Sequence, residues 1–270
     1  MKYVLVTGAN GGMGKAVVQK LVKEGFFVIA LDKSVGESIN GATYIKADIT
    51  DENSLISAFN QVKEITTNLY AILHFAGVYV LNSLVEINEK SFIKAFDINL
   101  FGVYRVNKIF LPLLDYGSRI LITTSELAPL APLPFTGLYA ITKSALDKYA
   151  YSLRMEVQLL GVKVSVLRPG AVKTDMINAS TLQLDEFCNN STLYKCNAER
   201  FKKIVDSVEA KNISADKIAL KTYRIITAKK PREVYNINRN TLLRLLNILP
   251  KRLQTKIIKG ILKEKNKKSA

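Results

Sequence analysis

Close to its beginning the chain reads Tyr3-Val4-Leu5-Val6-Thr7-Gly8-Ala9-Asn10-Gly11-Gly12-Met13-Gly14, an apolar run that leads into a glycine-rich turn. The run predicts a buried strand, and the apolar spacing over residues 14–24 predicts a helix. A glycine-rich turn at this point brings backbone N–H groups and the positive end of the helix dipole together, where a pyrophosphate can bind. The spacing is G-x-x-x-G-x-G rather than the commoner G-x-G-x-x-G, and a plain tight turn remains the alternative.

The rest of the chain alternates between strand-like and helix-like segments. Strands are predicted at residues 3–7, 26–31, 43–47, 69–75, 118–124, 162–167 and 233–237, and helices at residues 14–24, 52–64, 90–114, 138–160, 200–211 and 216–228. Residues 178–198 form a polar segment without a clear pattern. Buried strands that alternate with helices predict a doubly wound α/β domain, a parallel sheet covered on both faces.

Composition favours one large domain with no export signal. The chain has 270 residues, of which 48% are hydrophobic, so it can bury a single core. The sequence shows no signal-peptide pattern, which would combine basic residues, an apolar stretch and a small-residue cleavage site. No apolar run approaches the ~20 residues that a bilayer span requires. We therefore expect a cytoplasmic protein. Cys188, Cys196 and the single His74 offer no metal site, so free thiols and a structural histidine are expected.

Positive charge is concentrated at the C-terminal end. Residues 239–270 hold ten basic residues and one acid, which gives +9 of the formal +16. Leucines and isoleucines recur there at helical spacing, which predicts a basic amphipathic helix. Such a helix can lie on an anionic membrane surface, cap the domain, line the substrate entrance, or stay solvated. Nucleic acid is not an expected partner, because no reading motif accompanies the charge.

A tyrosine and a lysine stand one helical turn apart at Tyr139 and Lys143. Side chains at this spacing share a helix face. A nearby ammonium stabilises the phenolate and lowers the tyrosine pKa from ~10, which suits a general acid or base. An ordinary helix face is the alternative for the pair taken alone.

An acid ends the second predicted strand at Asp32, 18 residues after Gly14. A carboxylate there can accept hydrogen bonds from the ribose hydroxyls of an adenine dinucleotide and would repel a 2′-phosphate. This favours NAD(H) over NADP(H), although Lys33 leaves NADP(H) open. A surface aspartate that starts a turn is the other interpretation.

Together these motifs resemble the classical short-chain dehydrogenase/reductase family over residues 2 to about 238. The resemblance implies a Rossmann fold and four catalytic residues, Asn99, Ser125, Tyr139 and Lys143. It assigns cofactor contacts to Thr7, Gly8, Asn10, Gly12, Met13, Gly14, Asp32, Asp48, Ile49, Ala76, Gly77, Asn99, Tyr139, Lys143, Pro169, Gly170, Val172 and Thr174. One departure is Phe75, which stands where the family usually has asparagine before Ala76-Gly77.

The family's chemistry implies a role for each of the four residues. Tyr139 would exchange a proton with the substrate oxygen, and Ser125 would stabilise that oxygen. Lys143 would lower the Tyr139 pKa and bind the nicotinamide ribose, and Asn99 would hold a water. Ser125 precedes Tyr139 by fourteen residues, one more than is usual, and Glu126 stands where a small residue is common. Thr124 is the fallback for the role of Ser125.

Two segments bear on the substrate. Residues 127–135 are apolar and proline-rich, and residues 176–194 mix apolar and polar side chains, which suits a lipophilic alcohol or ketone unless the leucines only pack the loop. The end of the chain resembles the hydroxysteroid and retinol dehydrogenase branch, which implies a steroid-like, retinoid-like or long-chain lipid substrate. A 3-oxoacyl-type or other small-carbonyl reductase, and a catalytically silent nucleotide-binding regulator or scaffold, remain alternatives.

The expected organisation is one domain at residues 1–238, including a substrate loop at about residues 175–212, followed by the extension at residues 239–270. The resemblance also implies a homodimer through the two long helices predicted at residues 90–114 and 138–160. Peripheral contact with the inner face of a membrane would take place through the extension.

Overall fold

Nine strands and ten α-helices make up the part of the chain that the computed structural model describes, residues 1–36, 39–209 and 211–263. The strands are Tyr3–Thr7 (β1), Phe27–Asp32 (β2), Ala42–Lys46 (β3), Leu69–His74 (β4), Leu114–Thr123 (β5), Lys163–Pro169 (β6), Val172–Lys173 (β7), Ile213–Ser214 (β8) and Val234–Ile237 (β9). The helices are Gly12–Lys23 (α1), Glu52–Ile65 (α2), Glu89–Phe96 (α3), Gly102–Phe110 (α4), Gly137–Val157 (α5), Asp175–Asn190 (α6), Lys195–Glu209 (α7), Ala215–Thr227 (α8), Thr241–Ile248 (α9) and Lys251–Leu262 (α10).

The main sheet has seven parallel strands in the order β3-β2-β1-β4-β5-β6-β9. The chain therefore moves outward from β1 to one edge, returns to β4 beside β1, and moves outward to the other edge. The carboxyl ends of β1 and β4 border a crevice at this reversal, which is where ligands bind in open α/β sheets. The short strands β7 and β8 pair separately.

Helices cover both faces of the sheet, as the doubly wound prediction requires. On one face α1 and α8 pack against the strands through buried side chains such as Val17, Leu21 and Ile218. On the other face α2 and α4 pack around Leu55 and Phe110, and α5 continues the layer. The central strands β1, β2 and β4 are almost entirely apolar because both faces of the sheet are covered there. The predicted fold class is confirmed.

The helix predicted at residues 90–114 is broken into parts. An α-helix ends at Phe96, the segment Asp97–Phe101 is π-helical, and α4 ends at Phe110 before a 3-10 turn. Leu114 already belongs to β5. A π turn holds one extra residue and re-aims the side chains around it, and such turns are frequent at functional sites.

The polar segment at residues 178–198 is largely helical, which the sequence analysis missed. Most of it belongs to α6, and α7 begins at Lys195. Leu184, Phe187 and Cys188 lie at helical spacing and are buried with Phe201 of α7. Residues 175–181 are described by backbone only, so the side chain of Met176 lies outside the described residues. Cys188 is a buried thiol and Cys196 an exposed one, and neither forms a disulfide.

The C-terminal extension forms two helices rather than one. Asn240 caps α9, because its side chain accepts hydrogen bonds from the backbone N–H groups of Leu242 and Leu243. The side chain of Asn197 donates a hydrogen bond to the carbonyl of Leu262 at 2.6 Å, which ties α10 to α7. Residues 264–270, the end of the predicted extension, lie outside the described residues. None of the described helices combines the length and apolar character that a bilayer span requires.

Candidate active site

The glycine-rich turn after β1 has a geometry that only glycine allows. Gly8 has a φ of +67°, and a Cβ there would lie 2.5 Å from the backbone nitrogen of Ala76. A Cβ at Gly14 would lie 2.0 Å from the carbonyl oxygen of Gly8. A Cβ at Gly12 would meet the side chain of Thr174. No side chain caps the start of α1, so its first N–H groups remain open to an anion, as the pyrophosphate hypothesis requires.

Asp32 is bound to this turn. Its Oδ2 accepts a hydrogen bond from the backbone N–H of Asn10 at 3.0 Å, and its Oδ1 accepts one from the N–H of Ser34 at 3.3 Å. The Asn10 side chain donates to the carbonyl of Ser34 at 2.6 Å. A carboxylate offers about four acceptor positions, so Asp32 keeps capacity for a ribose hydroxyl while it shapes the turn.

Asp48 and Ile49 follow β3, and neither lines the cavity that contains Tyr139 and Lys143. The Asp48 carboxylate accepts hydrogen bonds from the hydroxyl and backbone N–H of Thr50, and these bonds lower its pKa. Ile49 is buried against Gly102, where a Cβ would lie 2.5 Å from its Cδ1. After β4 the chain passes beside the glycine-rich turn, where the N–H of Ala76 donates a hydrogen bond to the Thr7 hydroxyl at 3.5 Å.

Asn99 lies in the π-helical segment and is fully buried. Its Oδ1 accepts a hydrogen bond from the N–H of Val78 at 2.8 Å, and its Nδ2 donates to the carbonyl of Val78 and to the hydroxyl of Thr142, each at 3.0 Å. Both amide hydrogens are therefore used, and one lone pair of Oδ1 remains. A Cβ at Gly77 would lie 3.1 Å from Asn99 Oδ1 and 3.4 Å from Lys143 Nζ, so Gly77 lies against both groups.

Ser125 and Tyr139 meet despite their longer spacing in sequence. The Ser125 hydroxyl interacts with the phenol of Tyr139 and lowers its pKa, and Ser125 Oγ accepts a hydrogen bond from the N–H of Leu127. Thr124 instead places its hydroxyl 3.4 Å from Asp147 Oδ1. The ring of Tyr79 packs edge-on against Tyr139 with centroids 4.6 Å apart. The structure thus brings Ser125 rather than Thr124 to the tyrosine.

Lys143 is buried, and its Nζ donates a hydrogen bond to the carbonyl oxygen of Thr123 at 3.2 Å. The ammonium lies 5.8 Å from the centre of the Tyr139 ring. Burial lowers the pKa of Lys143 to about 8. Burial raises the pKa of Tyr139 to about 12, with the Ser125 hydrogen bond acting against this rise and the charge of Glu126 adding to it. The expected lowering of the tyrosine pKa by Lys143 is therefore wrong for the protein alone, because loss of solvent dominates.

A cavity of about 170 Å³ joins these groups. Its walls include Ser125, Tyr139, Lys143, Met13, Gly77, Pro169, Gly170, Val172 and Thr174. The N–H of Gly170 donates to Ile237, and the Pro169 carbonyl accepts from Glu126, so β6 and β9 fix this segment. The buried hydroxyl of Thr123 also lies in the wall and has no hydrogen-bond partner among the described residues. The turn, in which Gly8, Gly12 and Gly14 leave no room for a Cβ, and the unpartnered Thr123 hydroxyl fit an extended dinucleotide.

A family model described as short chain dehydrogenase matches residues 2–185, more than half of the chain. The chain belongs to the short-chain dehydrogenase family.

Two curated members of this oxidoreductase family show how far the likeness extends. The chain is 31% identical over 179 residues to the NADPH-dependent 1-acyldihydroxyacetone phosphate reductase of Schizosaccharomyces pombe, a match that covers 64% of this chain and 60% of that relative. It is 29% identical over 268 residues to the uncharacterized oxidoreductase YbbO of Escherichia coli (strain K12), covering 96% and 94% of the two chains.

Solved structures of short-chain dehydrogenases support the same fold. A family member from Francisella tularensis superposes with a TM-score of 0.74 at 23% identity, covering 88% of this chain and 97% of that one. At this identity the likeness concerns the fold alone.

Several residues of this short-chain dehydrogenase site were missed by sequence reasoning. Phe201, Ile204, Val205 and Val208 of α7 form an apolar wall of the cavity, and Leu243 of α9 joins them. Their spacing of three and four residues predicted a helix, but nothing local indicated what that helix covers. Thr142, which supports Asn99, and Tyr79, which supports Tyr139, were not part of any motif recognised in the sequence.

Proposed function

We propose that the protein transfers a hydride between a nicotinamide cofactor and a lipophilic alcohol or ketone. The observation that carries the proposal is that Ser125, Tyr139 and Lys143 line one mostly apolar cavity, with Ser125 acting on the phenol of Tyr139. A hydroxyl pair of this kind can bind a carbonyl oxygen from two directions. The apolar walls exclude water from the reacting carbon.

The four polar residues have separate roles in this proposal. Tyr139 gives its proton to the substrate oxygen during reduction and takes it back during oxidation. Ser125 donates a hydrogen bond to the same oxygen while charge develops on it. Lys143 supplies a positive charge below the phenol, and Asn99 holds the segment after β4 and offers its remaining Oδ1 lone pair to a water. The nicotinamide cofactor, when bound, supplies or accepts the hydride.

We favour NAD(H) as the cofactor, because the carboxylate of Asp32 ends β2 beside the glycine-rich turn. NADP(H) remains the second candidate, since Lys33 is exposed next to Asp32 and the Schizosaccharomyces pombe relative is NADPH-dependent by name. The residues proposed to hold either cofactor are those of the turn, Asp32, Asp48 with Ile49, Ala76 with Gly77, and the segment from Pro169 to Thr174.

We favour a steroid-like, retinoid-like or long-chain lipid substrate, because much of the cavity wall is apolar. Four apolar residues of α7, together with Leu127, Leu133 and Leu243, face the space beyond Tyr139. The reductase of Schizosaccharomyces pombe is named for 1-acyldihydroxyacetone phosphate, a carbonyl compound that carries an acyl chain, which supports a lipophilic carbonyl. A 3-oxoacyl-type reductase is the alternative within the same reaction class, and it would prefer a carrier-linked acyl chain.

One assay distinguishes these candidates. Consumption of NADH and of NADPH is followed with purified protein and a panel of steroid, retinoid, long-chain, 3-oxoacyl and sugar carbonyls. We expect turnover of apolar ketones and little of sugars. Sugar-selective turnover would reject the lipophilic assignment. Binding of NADH without turnover of any carbonyl would favour the silent regulatory or scaffold alternative.

Two assembly proposals accompany the function. A homodimer through α3, α4 and α5 is supported by exposed apolar side chains there, including Ile93, Tyr104 and Tyr151. Peripheral membrane contact is supported by exposed Leu242 and Ile248 beside basic residues of the extension. Light scattering coupled to size exclusion tests the first, and co-sedimentation with anionic vesicles, with and without residues 239–270, tests the second.

A further inference from the structure

The loop between β5 and α5 contains a buried acid that the proposed chemistry does not use. Glu126 is 6% exposed, and its Oε2 accepts a hydrogen bond from the backbone N–H of Asn240 at 2.6 Å. Burial raises the pKa of Glu126, while the bond from Asn240 and the charge of Arg239 act in the opposite direction. A buried carboxylate costs free energy unless it is paired, so its one main-chain partner is a strong restraint.

That partner, Asn240, belongs to the C-terminal extension and lies directly before its first helix. Asn240 precedes α9 and caps it with its own side chain. At the other end of α9, Asn247 Oδ1 accepts a hydrogen bond from the N–H of Ala131 at 2.7 Å. Glu126 and Ala131 both belong to the loop between β5 and α5. The loop therefore holds α9 at both of its ends.

This attachment divides the leucines of α9 between two environments. Leu243 lines the cavity, whereas Leu242 is 72% exposed. Leu133 of the loop and Phe201 and Val205 of α7 line the same cavity. Leu243 thus belongs to a wall whose other members come from the loop and from α7.

We propose that Glu126 is a positioning residue that holds α9 over the cavity, and that Leu243, so held, limits the length of the apolar chain that the pocket accepts. The inference rests on the proposed function, because it concerns the same cavity. Glu126 acts through α9 and does not touch the reacting atoms. The extension is then a wall of the substrate site, and Leu243 is a specificity-determining residue.

Chain-length preference tests the role of Leu243. The value of kcat/KM is measured for a homologous series of straight-chain ketones with the wild type, Leu243→Ala and Leu243→Phe. We expect the ratio of long-chain to short-chain kcat/KM to rise about tenfold in Leu243→Ala and to fall about tenfold in Leu243→Phe, as methylene discrimination in an apolar pocket allows. Leu242→Ala and Leu242→Phe are the matched controls, and they should leave the ratio unchanged. An unchanged ratio in both Leu243 variants would overturn the proposal.

Hydrogen exchange tests the role of Glu126 without any turnover. We expect the amides of residues 241–248 to exchange about tenfold faster in Glu126→Ala, because a buried hydrogen bond to a carboxylate is lost. Glu126→Gln keeps an oxygen acceptor and should restore most of the protection and of the chain-length preference. If Glu126→Ala does not fold, Asn247→Ala serves as the loosening variant. Wild-type exchange over α9 in the loosened variant would contradict the positioning role.

A dye-binding measurement separates this inference from the proposed function. If no ketone is reduced, binding of 1-anilinonaphthalene-8-sulfonate is compared between Leu243→Phe and Leu242→Phe. Weaker binding in Leu243→Phe alone, together with faster exchange when Glu126 is changed, would support the wall while the proposed function fails. Active enzyme with unchanged chain-length preference would reject the wall while the proposed function stands.

Discussion

The ammonium of Lys143 donates its hydrogen bond to the carbonyl oxygen of Thr123 and lies 5.8 Å from the centre of the Tyr139 ring. Its charge therefore does not offset the burial of the phenol, and the pKa of Tyr139 rises to about 12 while that of Lys143 falls to about 8. At neutral pH the free protein holds a protonated tyrosine above a charged lysine. This state suits proton donation, the reductive direction.

A pH profile follows from these two values. Lys143 is charged below pH 8 and neutral above it, whereas Tyr139 stays protonated in both ranges. We expect kcat/KM for the reduced cofactor, which reports the free enzyme, to fall with a one-proton slope as the pH rises through about 8. Alcohol oxidation should instead accelerate with pH, since it needs the tyrosinate. A flat reductive profile up to pH 10 would contradict the Lys143 assignment.

Removal of the Tyr139 hydroxyl should abolish most of the activity. We expect Tyr139→Phe to lower kcat by about 10² to 10⁴, the usual contribution of a positioned acid or base. The Kd of the reduced cofactor, measured by fluorescence, should change little. Tyr151→Phe is the matched control, because Tyr151 is 55% exposed on the same helix. Near wild-type turnover in Tyr139→Phe would show that the tyrosine is not the acid.

Cofactor preference should respond in opposite directions to two neighbouring changes. Asp32→Asn removes a negative charge beside the expected 2′-phosphate position and keeps an acceptor for the N–H of Asn10. We expect it to raise kcat/KM for NADPH relative to NADH by about tenfold or more. Lys33→Ala should lower the same ratio. Equal ratios in the wild type and Asp32→Asn would remove the charge argument for NAD(H).

His74 should make the fold sensitive to acid. It is buried, its Nε2 lies 2.9 Å from Asn107 Oδ1, and burial lowers its pKa from 6.5 to about 4. The unfolded chain binds the proton first, so stability present above pH 6.5 is lost as the pH falls towards 4. We expect His74 to lower the free energy of unfolding by about 1.2 kcal/mol as the pH falls from 6 to 5. Urea titrations of His74→Gln should lack this component.

Two glycine-to-alanine changes should have opposite effects. In Gly14→Ala the new Cβ would meet the Gly8 carbonyl, so we expect loss of cofactor binding and lower stability. Gly260 lies inside α10 with no atom within 4 Å of an added Cβ. Gly260→Ala should therefore raise the free energy of unfolding by up to about 1 kcal/mol through helix propensity. Urea unfolding measures both, and a destabilised Gly260→Ala would argue against α10.

The structural features that were predicted best are those that depend on residues close together in the sequence. The strand, turn and helix around Gly8 follow from apolar periodicity and from glycine at positions that have no room for a Cβ. The alternation of strands and helices was sufficient to predict the doubly wound sheet. The choice between Ser125 and Thr124 needed the structure, because the path of the proline-rich loop decides which hydroxyl meets Tyr139.

Features that depend on distant partners were not predictable. The π turn at Asn99 forms where its side chain meets Val78, and the 90–114 periodicity gave no sign of it. The sequence showed Glu126 only as an unusual residue after Ser125. Its role could not be predicted because its partner Asn240 lies 114 residues away. Helix α6 was not predicted because polar residues interrupt its apolar pattern, although Leu184, Phe187 and Cys188 lie at helical spacing.

The bonds between Asn99 and Val78 have a consequence for position 99 itself. The carboxamide presents one acceptor and one donor to the Val78 N–H and carbonyl, as an adjacent strand would, so a single side chain takes the place of a missing sheet partner. Aspartate lacks the donor, leucine lacks both groups, and glutamine carries its amide one methylene too far out. Selection for a properly folded backbone would thus retain asparagine here even in a relative that had lost all turnover, and its presence alone is no signature of an active enzyme.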